Sequence, residues 1–161
     1  EKSIKMVSSA HRYVSGTSSQ GERYSAADPE MAAWVHNALI DSFLVSYHNF
    51  GPLPLEDKEM DSYVYEQTNL GKLMKASPLP DNAESLSSWL SKNPKVGPSK
   101  EGAEAVSFLK KPPLPFFTLA AYKILFNAAV VTMPEELRKA IGVTPRKGAK
   151  TAANFLIKIN N

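Results

Sequence analysis

The sequence predicts an all-α domain, irregular in helix length and connected by proline-rich turns. Three observations carry that prediction. Apolar residues recur at three- and four-residue spacings along most of the chain. No segment has the period-2 alternation of a half-buried strand, and the best candidate, residues 130–132, is too short to matter. Twelve prolines fall mostly between the periodic stretches, where they end one helix and open the next. With 161 residues and 43% hydrophobic content, the chain is long enough for one domain with a substantial core, spanning 1–161.

The first periodic stretch steps through Ile4, Val7, His11 and Val14, one face of a helix that Ser15, Gly16 and Thr17 are expected to end. No capping residue precedes it. The sequence therefore predicts that the helix, and part of the domain, begins upstream of residue 1, so that the chain is a C-terminal piece of a larger helical domain. A polar loop, SSQGE, follows.

The central element runs from Tyr24 to Gly51 and reads as one long helix. Asp28 can cap its first turn, Pro29 suits the first helical position, and Glu30 complements the positive end of the dipole. Gly51 and Pro52 stop it. Leu39, Ile40, Phe43, Tyr47 and Phe50 form an apolar stripe with His36 in its middle, while Asn37, Asp41 and His48 make a hydrophilic wedge. Trp34, Phe43 and Tyr47 are expected to be largely buried.

Shorter helices follow. Residues 56–75 place Met60, Val64, Gln67 and Met74 on one face, beside Tyr63, Leu70 and Leu73. After SPLPDN, Asp81 or Asn82 caps a helix with Leu86, Trp89 and Leu90 inward. Ser99 caps the next, carrying Ala103, Val106 and Leu109, and KKPPLP terminates it. Residues 116–133 form a strongly apolar run interrupted by Thr118, Lys123, Asn127 and Thr132. Its length approaches that of a membrane span, but the interior lysine and asparagine favour a buried core helix, and a peripheral membrane face is the other outcome the run allows. A short helix with Pro134 near its start and Gly142 at its end comes next, and Thr144 and Pro145 open the last, with Ala149, Ala152, Leu156 and Ile159 inward.

Composition removes several classes of chemistry. With no cysteine there is no disulfide, thiolate nucleophile, iron–sulfur cluster or cysteine-bound zinc. There is no phosphate-binding glycine loop, dinucleotide fingerprint or HExxH helix. Ser42, His36 and Asp41 cannot form a triad within one helix, because His36 and Asp41 lie about 140° apart around its axis. The formal charge of +3 comes from a C-terminal end without acids after Glu136 and with Arg138, Lys139, Arg146, Lys147, Lys150 and Lys158. That bias suits phosphates or an anionic membrane, but no base-reading motif accompanies it and no nucleic-acid partner is expected. The absence of cysteine fits a reducing or an oxidising compartment. The location expected is cytoplasmic or membrane-associated.

Two of the three histidines, His11 and His36, fall on apolar helix faces, where burial favours the neutral imidazole. A neutral imidazole on a rigid apolar surface is what haem iron needs as an axial ligand. It is also what a core histidine with one backbone partner looks like, and the pattern does not choose.

A resemblance does. HRYVSG, GERYSAADPEMAAWVHNALIDSFLVSY, the LGKLM segment with LP after it, KKPP and MPEELRKAIGV resemble the catalytic domain shared by the rubber oxygenases (latex-clearing proteins) and the ER-bound oxygenase of mycophenolic acid biosynthesis. The resemblance runs from about residue 2 to residue 145 and is most specific in the DPE…WVH block. It implies an all-α fold, a b-type haem held through one histidine, and dioxygen-dependent cleavage of carbon–carbon double bonds in an apolar, isoprenoid-like substrate. On this resemblance His11 is similar to the proximal iron ligand and His36 to a histidine of the pocket wall. Asp28, Pro29 and Glu30 are similar to the capped helix start, and Trp34 to a packing residue. The family's Arg-x-x-x-Thr motif lies upstream of the haem histidine and outside this sequence, which leaves the expected haem pocket half supplied. A non-catalytic haem or lipid carrier and a helical interaction or membrane-surface module are the other classes the sequence admits. Soret absorption separates the haem readings from the last, and oxygen consumption separates enzyme from carrier.

Overall fold

The computed structural model describes residues 2–18 and 21–159, the side chains of 2–5, 8 and 156–159 apart. Among the described residues the chain forms eight helices and one two-stranded ribbon, an irregular all-α architecture as the sequence predicts. The helices are α1 (Lys2–His11), α2 (Pro29–Phe50), α3 (Asp57–Leu73), α4 (Ala83–Ser91), α5 (Lys100–Lys110), α6 (Phe116–Thr132), α7 (Glu135–Ile141) and α8 (Ala149–Ile159). The chain divides into two compact units, one of residues 1–45 and 55–90, the other of 46–54 and 91–161.

In the first unit, α1 ends at His11, earlier than expected, and the chain turns into an antiparallel ribbon of β1 (Ser15–Thr17) and β2 (Arg23–Ser25). Ser15 pairs with Ser25, Gly16 with Tyr24 and Thr17 with Arg23, and Ala26 N–H donates to the Val14 carbonyl at 2.9 Å. Ser15, Gly16 and Thr17 are poor helix formers, and cross-strand bonds satisfy their backbone where a helix would not persist. The exposed Tyr24 ring lies over Gly16, its hydroxyl 2.7 Å from where a Cβ would stand, so a side chain there would displace the ring. The expected stripe on α1 is therefore not a buried face: Val14 lies beyond the helix and Val7 and Val14 are both exposed, while the Ile4 side chain lies outside the described residues. The tip of the SSQGE loop lies outside them too.

The start and end of α2 match the sequence reading. Asp28 Oδ1 accepts the Glu30 N–H at 2.8 Å, Pro29 is the first helical residue, and Gly51 follows the last. Its buried face is Ala33, His36, Asn37, Ile40 and Leu44. The expected stripe is corrected accordingly: Leu39, Phe43 and Tyr47 are exposed, Phe43 by 62%, and Trp34 is half-buried. α2 carries apolar residues on two sides, and the side that packs inward is the one where small Ala33 lets backbones approach and where His36 and Asn37 find acceptors. Ile40 and Leu44 pack with Val64 of α3 and Leu86 and Leu90 of α4 in the core of this unit, flanked by Trp34, Met60, Tyr63 and Trp89. The rings of Trp34 and Trp89 sit 5.8 Å apart.

The cap of α3 is Glu56, whose backbone N–H donates to the Glu59 carboxylate at 2.8 Å, and its inward residues are Val64, Thr68 and Gly71, with Leu70 and Leu73 exposed. Asn82 caps α4 by accepting the Ser85 N–H at 2.9 Å.

In the second unit, Ser99 Oγ accepts the Gly102 N–H at 3.0 Å and opens α5, as expected. Only Val106 of α5 is buried, so Ala103 and Leu109 do not face inward. Val106 packs with Val130 and Val143, flanked by Phe126 and Ile141. α6 is not the buried core helix that its composition suggests. Among its described residues only Ala128 and Val130 are buried, and Phe116, Phe117 and Leu125 are exposed. No helix among the described residues is long and apolar enough to cross a membrane. Gly142, at φ +66°, closes α7 in the left-handed conformation that favours glycine. α8 packs on α6 with Ala149 and Ala153 inward. Ala152 is exposed, and the Leu156 and Ile159 side chains lie outside the described residues.

Candidate functional site

The two histidines singled out by sequence occupy different environments. His36 is 6% exposed, on the inner face of α2. Its imidazole hydrogen-bonds the Gln67 backbone on α3, and its Nε2 stands 3.0 Å from where a Cβ on Gly71 would be. Burial pushes the His36 pKa below its ordinary value of 6.5, and the bond to Gln67 partly opposes the shift. His36 is thus a neutral imidazole at neutral pH, tying α2 to α3.

Gly71 makes this packing work. Both terminal methyls of Leu79 also press on the space a Cβ would occupy, at 2.5 and 2.9 Å. The SPLP segment that brings Leu79 there is strapped along α2 by two bonds. Ser77 N–H donates to the Pro29 carbonyl at 3.0 Å, and Asn37 Nδ2 donates to the Pro78 carbonyl at 3.2 Å. Asn37, expected on the hydrophilic wedge, is 2% exposed, and this bond compensates its burial. Sequence reasoning missed Asn37 and Gly71 as parts of this arrangement. The available signal was a glycine inside a helical pattern, which marks a close approach of another side chain.

Asp41, one turn further along α2, is partly buried, and burial pushes its carboxyl above the ordinary carboxylate range. His48 is exposed, as expected from the wedge.

His11 ends α1, half-buried, with its carbonyl accepting the Val14 N–H at 3.1 Å. Among the described residues its imidazole makes no hydrogen bond or ion pair, and no bond joins it to His36. No group of three or more His, Asp or Glu side chains that could hold a metal ion occurs among the described residues. A haem asks for less: one imidazole nitrogen without another partner, beside apolar surface. Among the described residues the His11 ring has no such partner, and Val7, Tyr13 and Val14, its neighbours in sequence, are exposed. His36, its ring committed to Gln67 and closed in by Gly71 and Leu79, does not present a nitrogen in this way.

The chain belongs to the family described as ER-bound oxygenase mpaB/B'/Rubber oxygenase, catalytic domain, whose model matches residues 1–158. It is thus an oxygenase-type catalytic domain, as the motifs around His11 and His36 implied. No curated protein and no solved structure matches the chain.

Proposed function

We propose that the chain is part of a b-type haem-dependent oxygenase that oxidises an apolar, isoprenoid-like substrate with dioxygen, and that His11 is the residue that would hold the haem through its iron. The observation that carries the assignment of His11 is its imidazole, half-buried at the end of α1 and unengaged among the described residues, in a chain of an oxygenase family. When bound, the haem supplies the iron at which dioxygen is activated.

The protein's own residues supply position and surroundings. His36 is a positioning residue: through Gln67 and Gly71 it fixes α2 on α3 and keeps a rigid helix beneath whatever lies on its outer side. That outer side carries Met31, Val35, Leu39 and Phe43, exposed at four-residue intervals. A contiguous apolar ridge of this kind suits a hydrocarbon substrate and sheds water from it.

The test is haem titration of the whole protein, read at the Soret band. His11→Ala removes or strongly shifts the spectrum, His36→Ala leaves haem bound more weakly, and His48→Ala changes nothing. Loss of haem in His36→Ala with retention in His11→Ala would exchange the two roles. Oxygen consumption with an isoprenoid substrate separates an oxygenase from a haem or lipid carrier, the alternative that the exposed ridge of α2 also suits.

A further inference from the structure

The tip between α5 and α6, within the second unit, exposes a set of large apolar side chains that the haem reading does not use. Phe116 is 78% exposed and Phe117 86%, with Phe108, Leu109 and Leu114 also exposed. Tyr122 Oη donates to the Leu109 carbonyl at 2.7 Å, holding the end of α5 beside the start of α6. The connection is stiffened by Pro112, Pro113 and Pro115, and the Leu114 N–H donates to the Pro112 carbonyl at 2.8 Å. The two phenylalanine rings meet edge to face, their centroids 5.6 Å apart. This is a built tip that keeps aromatic rings in water.

Its charge has one sign. No aspartate or glutamate occurs between Glu104 and Glu135, and Lys110, Lys111 and Lys123 in that interval are exposed. Lys110 Nζ donates to the Gly142 carbonyl at 3.3 Å, which holds one ammonium at the side of the tip.

We propose that this tip docks on an anionic membrane surface, with Phe116 and Phe117 entering the boundary between headgroups and acyl chains and the lysines meeting lipid anions. Two phenylalanines bury roughly 400 Å² between them, about half of the ~800 Å² that each partner contributes to a stable protein interface. A membrane needs less area, because apolar insertion and lysine attraction add together. The proposal is independent of the haem reading and its test needs no haem.

The experiment is co-sedimentation of the whole chain with vesicles of phosphatidylcholine alone and with vesicles containing about one third phosphatidylserine. Binding is expected to the anionic vesicles and to weaken with salt. Lys110→Gln combined with Lys111→Gln lowers partitioning about thirtyfold, and Phe116→Ser combined with Phe117→Ser lowers it at least about tenfold. All four side chains are exposed, so the variants fold, which circular dichroism checks. Phe117→Trp shows an emission blue-shift on anionic vesicles beyond that of the parent, which carries Trp34 and Trp89. Equal binding to both vesicle types, unchanged binding in either double variant, or no excess blue-shift overturns the proposal. So does a self-association abolished by the phenylalanine variants in a chain that ignores vesicles, which would make the tip an interface between copies.

Discussion

Gly71→Ala tests whether the packing of His36 is as close as the structure shows. The new Cβ would stand 2.5 and 2.9 Å from the Leu79 methyls and 3.0 Å from His36 Nε2, where ordinary contact begins at 3.4 Å. The Leu79 methyls can swing aside, but His36 cannot retreat without loosening its bond to Gln67. Overpacking of this kind costs about 1–3 kcal/mol. Alanine returns roughly 1 kcal/mol of helix propensity, leaving a net loss of about 1 kcal/mol. Leu79→Ala alone costs about 1–2 kcal/mol, below the range for a fully buried leucine because Leu79 is half-buried. Together the two substitutions cost less than their sum, since truncating Leu79 opens the space that the Cβ fills. Urea unfolding at neutral pH, followed by far-ultraviolet circular dichroism, gives all three values. A Gly71→Ala variant as stable as the parent, or a cycle additive to within about 0.5 kcal/mol, would refute the reasoning.

Three further outcomes follow from the same unit. The His36 pKa is lower in the folded chain than its ordinary 6.5, so the unfolded state takes up the proton more readily; the buried neutral ring contributes fully above that value, and stability falls as the pH drops from 6.5 towards the folded pKa. The stability of the parent relative to His36→Gln should therefore shrink over that interval, the Gln variant cancelling the opposite contribution of Asp41, whose raised pKa adds stability as the pH falls; a pH-independent difference would remove His36 from the account. Asn37→Ala should cost about 1–2 kcal/mol by leaving the Pro78 carbonyl without its donor, measured by the same unfolding curves. Phe43→Ala should fall within about 0.5 kcal/mol of the parent, whereas Leu44→Ala should cost about 2–5 kcal/mol; the reverse order would restore the opposite face of α2 as the core face.

The helices were legible where the signal was local. The Asp28 cap, Pro29 and Gly51 bounded α2, and Asn82 and Ser99 marked the starts of α4 and α5, because a cap is a contact between near neighbours in sequence. The inward faces were less legible. Leu39, Phe43 and Tyr47 form as regular a stripe as Ala33, Ile40 and Leu44, and periodicity weighs them by hydrophobicity alone. The face that packs includes His36 and Asn37, which hydropathy counts against burial. Their acceptors, on Gln67 and Pro78, lie 31 and 41 residues further along the chain, so the compensation for their burial is invisible to any local window. The β1–β2 ribbon was missed for the same reason, since three-residue strands carry no period and exist only through each other's backbone.

The two histidines show what a helix-face argument leaves out. Both sit at apolar spacings, and on that ground they are equivalent. What separates them is the use of the ring nitrogens. An imidazole bonded to a backbone carbonyl and closed in by Gly71 and Leu79 holds structure, and its removal should first be felt as lost stability. An imidazole half-buried at a helix end and unengaged among the described residues is the one to which the proposed function gives a ligand's role. Helix α1 stops at His11 because the Ser15–Thr17 segment prefers the ribbon, and the turn beyond the helix draws Val14 off the face on which periodicity had placed it. The departure from the predicted helix thus takes Val14 off the face that carries His11, while the departure on α2 sets His36 on the buried face.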